Sequence, residues 1–134
     1  MSITFPFEEA LSPSVGKIKR PIAKVELYNK KLNFWVPYTM IVDTGADYTI
    51  VPIHLVDFLN INLETETKLT ITRGIGGLVN IFLLKGRIKA KVGYFERNIK
   101  LGIINSIKTP ALLGRYGFLE TFKVVLENFT TTFS

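Results

Sequence analysis

Short runs rich in apolar and aromatic residues, each separated from the next by a segment that contains glycine, proline or asparagine, recur along almost the whole sequence. They occupy residues 22–27, 34–42, 69–72, 78–84, 87–92, 94–104, 123–127 and 129–133. Runs of this length and composition are typical of β-strands. The turn residues Asn29, Lys30 and Lys31 separate the first two runs, which predicts an antiparallel pair. Short helices are expected at 53–59, after Pro52, and at 114–122. The pattern predicts a mainly β protein with one or two short helices.

The chain organisation predicted from the sequence is a single domain preceded by an arm. The length of 134 residues and a hydrophobic content of 47% are those of one globular unit. Residues 1–19 are expected to form an irregular N-terminal arm with loop residues at 12–16, and residues 20–134 the domain. The first residues are not a secretory signal, and no apolar run is long enough to cross a bilayer. We therefore expect a cytoplasmic protein without a membrane partner.

The amino-acid composition restricts the chemistry of any active site. Cysteine is absent and His54 is the one histidine, which excludes thiolate chemistry and makes a metal site or a Ser-His-Asp triad unexpected. The aspartates are only three, Asp43, Asp47 and Asp57, beside eight glutamates. An enzyme with this composition would use carboxylates, hydroxyls and backbone groups, with no cofactor.

A basic stripe is the second polar feature. Lys85, Arg87, Lys89 and Lys91 occupy alternate positions, and a period of two places them on one face of a strand. With a net charge of +6, the stripe is compatible with a nucleic-acid-binding β domain. No aromatic residue lies between these charges, and no nucleic-acid motif accompanies them. A solvated sheet face or a charged strand edge is the favoured interpretation, with no nucleic-acid partner.

The segment from Met40 to Pro52 carries the sharpest chemical signal. An apolar run ends directly at Asp43, continues as Thr44-Gly45-Ala46-Asp47-Tyr48, and then becomes apolar again. A carboxylate at the end of a buried strand is costly unless it is hydrogen-bonded or used. Gly45 lets the backbone turn its N–H groups toward that carboxylate. An Asx-type turn, in which Asp43 stabilises its own loop, is the alternative.

Three motifs in order resemble the retropepsin-like aspartic proteases. Asp43-Thr44-Gly45-Ala46-Asp47 is similar to their catalytic loop, Gly74-Ile75-Gly76-Gly77 to their flap tip, and Leu112-Leu113-Gly114-Arg115 to the element beneath the catalytic loop. Arg20-Pro21 also matches, so the resemblance covers residues 20 to 128. Tyr48 departs from the family, which often has a second acid there. The sequences after Ala46 and Arg115 look most like cellular microbial members.

The resemblance implies a closed, orthogonal β-barrel of the single-lobe acid protease type, acting as a homodimer. It implies an endopeptidase in which Asp43, Thr44 and Gly45 are catalytic. The chain contains one Asp-Thr-Gly where the mechanism needs two carboxylates, so a second copy is expected to supply the other. The C-terminal strands around 123–133 are candidates for the dimer sheet. A catalytically silent dimer of the same fold that binds peptides is the alternative.

The remaining site residues are also implied by the resemblance. A peptide or unfolded polypeptide would bind extended beneath a mobile hairpin tip. The substrate-binding residues would be Ala46, Asp47, Tyr48, Gly74, Ile75, Gly76, Ala111 and Leu112, with Ile50 as a further pocket residue. Arg20, Gly114 and Arg115 would be structural supports, with an Asp47–Arg115 ion pair that costs about 3–5 kcal/mol to break if buried. Ala46 offers no hydroxyl to the ionised acids, so we expect a weakly acidic pH optimum.

Overall fold

The computed structural model describes residues 1–74 and 76–134 and is mainly β. The first strands are β1 (Ile3–Pro6), β2 (Glu8–Ser12), β3 (Gly16–Arg20), β4 (Ile22–Asn29), β5 (Phe34–Val42) and β6 (Thr49–Pro52). Two short helices, α1 (Leu55–Leu59) and α2 (Leu63–Glu66), precede the hairpin strands β7 (Thr67–Gly74) and β8 (Gly77–Leu84). The remaining strands are β9 (Ile88–Val92), β10 (Phe95–Ile99), β11 (Leu101–Ile104), β12 (Leu112–Leu113), β13 (Val124–Glu127) and β14 (Thr130–Phe133).

A nine-stranded sheet forms most of the molecule, in the order β10-β9-β4-β5-β12-β6-β11-β8-β7. The predicted antiparallel pair β4–β5 is confirmed and runs from Ile22↔Ile41 to Asn29↔Phe34. The outermost strands, β10 and β7, are not paired with each other, so the sheet is a curled half-barrel. The mainly β architecture with short helices is confirmed, and the half-barrel fits the expected retropepsin-like fold, while the closed barrel and the homodimer stay predictions.

The core lies on the concave side of this sheet and is built from alternate strand residues. The burial of β4 alternates for this reason, with Val25 and Leu27 fully buried and Lys24 exposed. An aromatic group closes the other side of the core, where Phe133 contacts Phe5 edge-on at 6.1 Å between ring centroids and Phe122 at 5.6 Å. Burial of these rings fixes the C-terminal strands against the main sheet.

The N-terminal residues are ordered strands, which differs from the irregular arm expected for 1–19. β1 pairs with β14, and β14 pairs with β13, giving a three-stranded sheet with β14 in the centre. β2 and β3 form a separate hairpin whose turn falls at the predicted loop residues, with Gly16 at a φ of 79°. β1 is held because Phe5 is buried in the core. The domain boundary at residue 20 stays a prediction.

Two other expectations were wrong. The segment 114–122 is not an α-helix but a turn followed by a short 3₁₀ helix at Leu119–Thr121. Gly117 has a φ of 72°, outside the helical region. The amides of Leu119 and Glu120 bond five residues back, to Gly114 and Arg115, and that of Phe118 bonds three residues back, to Arg115, so the regular four-residue helical spacing is not formed. The basic stripe does not lie on one strand face, because Lys85 and Arg87 precede β9.

No helix in the part of the chain that the structure describes is long and apolar enough to cross a membrane.

Candidate active site

The loop that begins at Asp43 is positioned by the short strand β12, which lies between β5 and β6. Leu113 pairs with Val42 in parallel register, and Leu112 also pairs with Ile50 in antiparallel register. The backbone N–H of Asp43 donates to the carbonyl of Leu113 at 3.0 Å. Residues from two distant parts of the chain therefore fix the point at which β5 ends and the loop begins.

The Asp43 carboxylate is partly buried and has a specific backbone donor. The N–H of Gly45 donates to Oδ1 of Asp43 at 2.9 Å, and the N–H of Ala46 donates to the Asp43 carbonyl at 3.2 Å. No other described residue donates to this carboxylate, so its second oxygen is available to water or a partner group. The Asx-type turn is therefore present. The catalytic interpretation of Asp43 stays a prediction.

Gly114 packs directly beneath the loop and has no room for a side chain. A Cβ there would lie 2.3 Å from both the carbonyl carbon and the oxygen of Tyr48. The Gly114 amide donates to the buried hydroxyl of Thr49 at 3.1 Å. The predicted supporting role of Gly114 is thus explained by a backbone-to-backbone contact. Thr49 was not among the predicted residues, since nothing in the sequence distinguishes it from an ordinary strand threonine.

Arg115 braces the loop from the other side. Its guanidinium donates to the Thr44 carbonyl at 2.6 Å and to Oδ1 of Asp47 at 2.7 Å. The two side chains are 45% and 77% exposed, so this is a surface ion pair in the single chain. Exposed pairs contribute about 0.2–1 kcal/mol. The larger cost expected for a buried pair therefore does not apply to the single chain.

Tyr48 connects the loop to the β7–β8 hairpin. Its ring occupies the space left by Gly102, where a Cβ would lie 2.6 Å from Cε2 of the ring. Its hydroxyl lies near the side chain of Thr72 on β7. Burial raises the pKa of the Tyr48 phenol, and the nearby Asp47 charge raises it further, while the Thr72 hydroxyl lowers it. The phenol is therefore held neutral, and no sequence pattern predicts that it lies near Thr72.

The hairpin β7–β8 is the segment expected to act as the flap. It pairs from Thr67↔Leu84 to Gly74↔Gly77, and Gly77 has a φ of 111°, which favours glycine. Gly76 is exposed, and Ile75 lies outside the described residues. One face of the hairpin presents Leu69, Ile71 and Leu78 to solvent, each more than half exposed. The opposite face contains Thr72 and therefore faces the Asp43 loop.

The other predicted residues are dispersed around this loop. Ala111 is buried, and its carbonyl accepts from the Ile41 amide at 2.9 Å. It also lines a surface pocket of about 430 Å³ that includes Arg20. Leu112 is half-buried between its strand partners. Asp47 bonds to Arg115, as expected, and contact of Arg20 with a partner's loop stays a prediction.

Two titratable residues lie outside the loop, on or beside α1. His54 lies 3.1 Å from the hydroxyl of Tyr38 through Nε2. Asp57 is an exposed residue of α1. Among residues 1–74 and 76–134, no group of three or more acidic or histidine side chains is arranged to hold a metal ion.

Comparison with known proteins identifies the family. The retroviral aspartyl protease family model matches residues 17–127, which include the Asp43 loop, the β7–β8 hairpin and Arg115. A comparison with curated protein sequences gives no significant match. The matched region covers most of the chain and agrees with the resemblance seen in the three motifs. The chain therefore belongs to the retroviral aspartyl protease family.

Proposed function

We propose that this protein is an aspartic endopeptidase that works as a homodimer, with Asp43 of each protomer in one active site. The observation that carries the proposal is the Asp43 loop itself. A partly buried carboxylate ends a core strand, is held by the Gly45 amide at 2.9 Å and keeps one oxygen free of protein donors among the described residues. The family membership supports the same assignment.

The proposed mechanism needs two carboxylates that share one proton. Two like charges a few ångströms apart cannot both ionise easily, so one acid stays protonated. The ionised acid takes a proton from a water molecule, which attacks the scissile carbonyl, while the protonated acid donates its proton to the carbonyl oxygen. When the tetrahedral intermediate collapses, the C–N bond breaks and the nitrogen takes up a proton. The two acids titrate as a pair, so neither role belongs to a fixed protomer.

The requirement for a second copy follows from the sequence, because one chain contains a single Asp-Thr-Gly. The three-stranded sheet offers a surface for the pairing. β14 is covered on both sides by β1 and β13, but the outer edge of β13 is not paired with any described strand. Leu126 on that strand is 46% exposed. Thr44, Gly45 and the exposed Asp47 would lie near the two-fold axis, with Arg20 directed toward the partner's loop.

A peptide substrate would lie extended between the loop and the β7–β8 hairpin, bound through backbone hydrogen bonds. The hairpin would exclude water after closing. Ala46, Tyr48, Ile50 and Leu112 would form the apolar walls, which favours hydrophobic residues beside the cut. The buried position of Ala111 limits it to backbone contacts.

The proposal is tested with an unfolded protein and a matched pair of variants. Purified protein is incubated with unfolded casein or a peptide library from pH 4 to 6.5, and its oligomeric state is measured by sedimentation. We expect cleavage that Asp43→Asn abolishes and that Asp57→Asn, which removes an exposed carboxylate from α1, leaves intact. Cleavage that survives Asp43→Asn refutes the mechanism.

The alternative, a peptide-binding dimer without catalysis, has its own outcome in the same experiment. A confirmed dimer that binds unfolded casein but never cleaves it would favour the binding module. A monomer that cleaves casein would contradict the shared active site. Because Ala46 gives no hydroxyl to the ionised acids, we expect the rate to peak at weakly acidic pH, and a peak well below pH 3 would reject that reasoning.

A further inference from the structure

A second concave site lies at the root of the β7–β8 hairpin, away from the Asp43 loop. This root pocket has a volume of about 530 Å³ and lies between the β4–β5 turn, the α1–α2 region and the β8–β9 connection. Its cationic residues are Lys30, Lys31, Lys85, Arg87 and Lys89, and its apolar floor includes Leu59, Leu84 and Ile88. The volume falls within the range of small-molecule sites.

The root pocket shares no residue with the candidate active site. Tyr28 and Lys30 lie at the start of the β4–β5 turn, whereas Asp43 follows the far end of β5. The length of β5 separates these two ends by roughly 25 Å, at about 3.3 Å per residue. The proteolytic proposal therefore gives this pocket no role.

The positive charge of the root pocket is largely uncompensated. Its one acidic residue, Glu66, is already bonded to Lys31 at 2.9 Å. Hydrogen bonds from the Asn62 amide and from Lys31 lower the pKa of Glu66, so it is ionised and its charge is matched. Lys30, Lys85 and Lys89 are exposed, and no carboxylate of a described residue pairs with them.

Arg87 and Lys89, two cations of the root pocket, have defined contacts. Arg87 donates to the carbonyl of Asn98 at 3.3 Å and to the hydroxyl of Tyr116 at 3.0 Å, so its guanidinium is held in place. The ammonium of Lys89 lies 5.6 Å from the centre of the Tyr28 ring. Three residues of the basic stripe, Lys85, Arg87 and Lys89, thus line this pocket, while Lys91 pairs with Glu26 outside it.

We propose that the root pocket binds a small organic diphosphate, with its phosphates on the three unpaired lysines and its apolar or aromatic body on the floor beside Tyr28. Lysine is an effective point-charge partner for phosphate. Three ammonium groups that line one pocket can match two or three negative charges, and the apolar residues of the same pocket favour a ligand with a hydrophobic part over a bare ion. An extended polymer is disfavoured because the cations surround a pocket rather than follow a groove.

The root pocket lies at the base of the β7–β8 hairpin, where a bound ligand would contact residues adjoining both of its strands. β7 begins directly after Glu66 and β8 ends directly before Lys85, and both residues line the pocket. The Lys85 amide also donates to the Glu66 carbonyl at 2.8 Å, which closes the base of the hairpin. A ligand bound across Lys30, Lys85 and Lys89 would therefore hold the two roots of β7–β8 against the β4–β5 turn.

The test compares ADP, inorganic pyrophosphate and adenosine by calorimetric titration of the full chain in metal-free buffer. We expect saturable 1:1 binding of ADP, weaker binding of pyrophosphate and no detectable binding of adenosine. The triple variant Lys30→Ala, Lys85→Ala, Lys89→Ala should weaken ADP binding by at least roughly tenfold, since each charged contact that is lost has an effect of about this size. The exposed side chains make a folding defect unexpected, and circular dichroism verifies the fold of each variant.

A matched triple variant, Lys17→Ala, Lys24→Ala, Lys108→Ala, removes the same charge from exposed positions elsewhere and should leave ADP binding unchanged. If both triple variants weaken ADP binding equally, the net charge of the protein explains the effect and the proposal is overturned. Equal affinity for ADP and pyrophosphate would overturn the amphipathic ligand, and tighter binding of a longer single-stranded RNA would assign the surface to nucleic acid instead.

Amide hydrogen exchange gives a readout that does not depend on proteolysis. Saturating ADP should slow exchange at the base of β7–β8, and the Lys30, Lys85, Lys89 triple variant should remove this protection. Asp43→Asn should bind ADP as the unmodified chain does, so a failure of the proposed proteolysis leaves this inference standing. Unchanged exchange at the hairpin base with ADP bound would refute the coupling.

Discussion

Substitution of Gly114 by alanine tests how the candidate active site is supported. The added Cβ would lie 2.3 Å from the backbone carbonyl of Tyr48, where ordinary contacts are 3.4 Å or more. The two segments must therefore separate by about 1 Å, and neither can do so by rotating a side chain. Both are tied in place, since the Gly114 amide bonds to Thr49 and the Leu113 carbonyl accepts from Asp43.

The expected cost is the sum of overpacking and weakened hydrogen bonds. Overpacking a tight site costs about 1–3 kcal/mol, and two weakened hydrogen bonds add about 1 kcal/mol each. We therefore expect Gly114→Ala to lower the free energy of unfolding by about 3–5 kcal/mol, a large share of the 5–15 kcal/mol typical of natural domains. For a chain of this length the corresponding fall in Tm is about 10–20 °C.

The assay is thermal and urea unfolding followed by circular dichroism, at one fixed protein concentration because association adds to apparent stability. Gly86→Ala is the matched control, since a Cβ there meets nothing within 4 Å. Its unfolding free energy should change by less than about 1 kcal/mol.

Gly102→Ala provides a comparison in which the added Cβ meets a side chain, whereas at Gly114 it meets the backbone. Its Cβ would lie 2.6 Å from the Tyr48 ring, so Tyr48→Ala should recover part of the loss at Gly102. The same second substitution cannot relieve Gly114→Ala, because that clash is with the Tyr48 backbone. A Gly114→Ala variant that melts within about 2 °C of the unmodified chain, or that Tyr48→Ala rescues, would refute the packing argument.

Three further substitutions follow from individual contacts. Thr131 is fully buried, and its hydroxyl has no hydrogen-bond partner among the described residues. Thr131→Val should therefore raise the free energy of unfolding, measured by urea denaturation, by about 1 kcal/mol, and a lower value would contradict the absence of a partner. Asn29 is 1% exposed, and its side chain makes four hydrogen bonds to neighbouring loops, so Asn29→Leu should cost about 2–4 kcal/mol in the same assay; a cost below 1 kcal/mol would contradict this account. Burial raises the pKa of Tyr48 in the folded chain, so its contribution is complete below the unfolded pKa near 10 and is lost as pH rises through the folded pKa. The free energy of unfolding of the unmodified chain, relative to that of Tyr48→Phe, should accordingly be constant from pH 7 to 9 and fall above pH 10. A rise above pH 10 would contradict a raised pKa of Tyr48.

Features that depend on neighbouring residues could be predicted from the amino-acid sequence. Alternating apolar runs predicted most of the strands, and the turn at Asn29 predicted the β4–β5 pair. Asp43-Thr44-Gly45 indicated the candidate site. Each of these follows from local backbone preference and burial pattern, which a short window of sequence contains.

Tertiary structure alone decided which distant segments meet. The run from 94 to 104 looks continuous but divides at Lys100, where β10 pairs with β9 and β11 pairs with β6. β1 is ordered only because β14 offers an unpaired edge and the core accepts Phe5. Likewise Tyr48 lies near Thr72, and Lys30 and Lys85 line one pocket, although the members of each pair are far apart in sequence. Such contacts depend on how the sheet curls and which edges remain free, and no local pattern encodes that outcome.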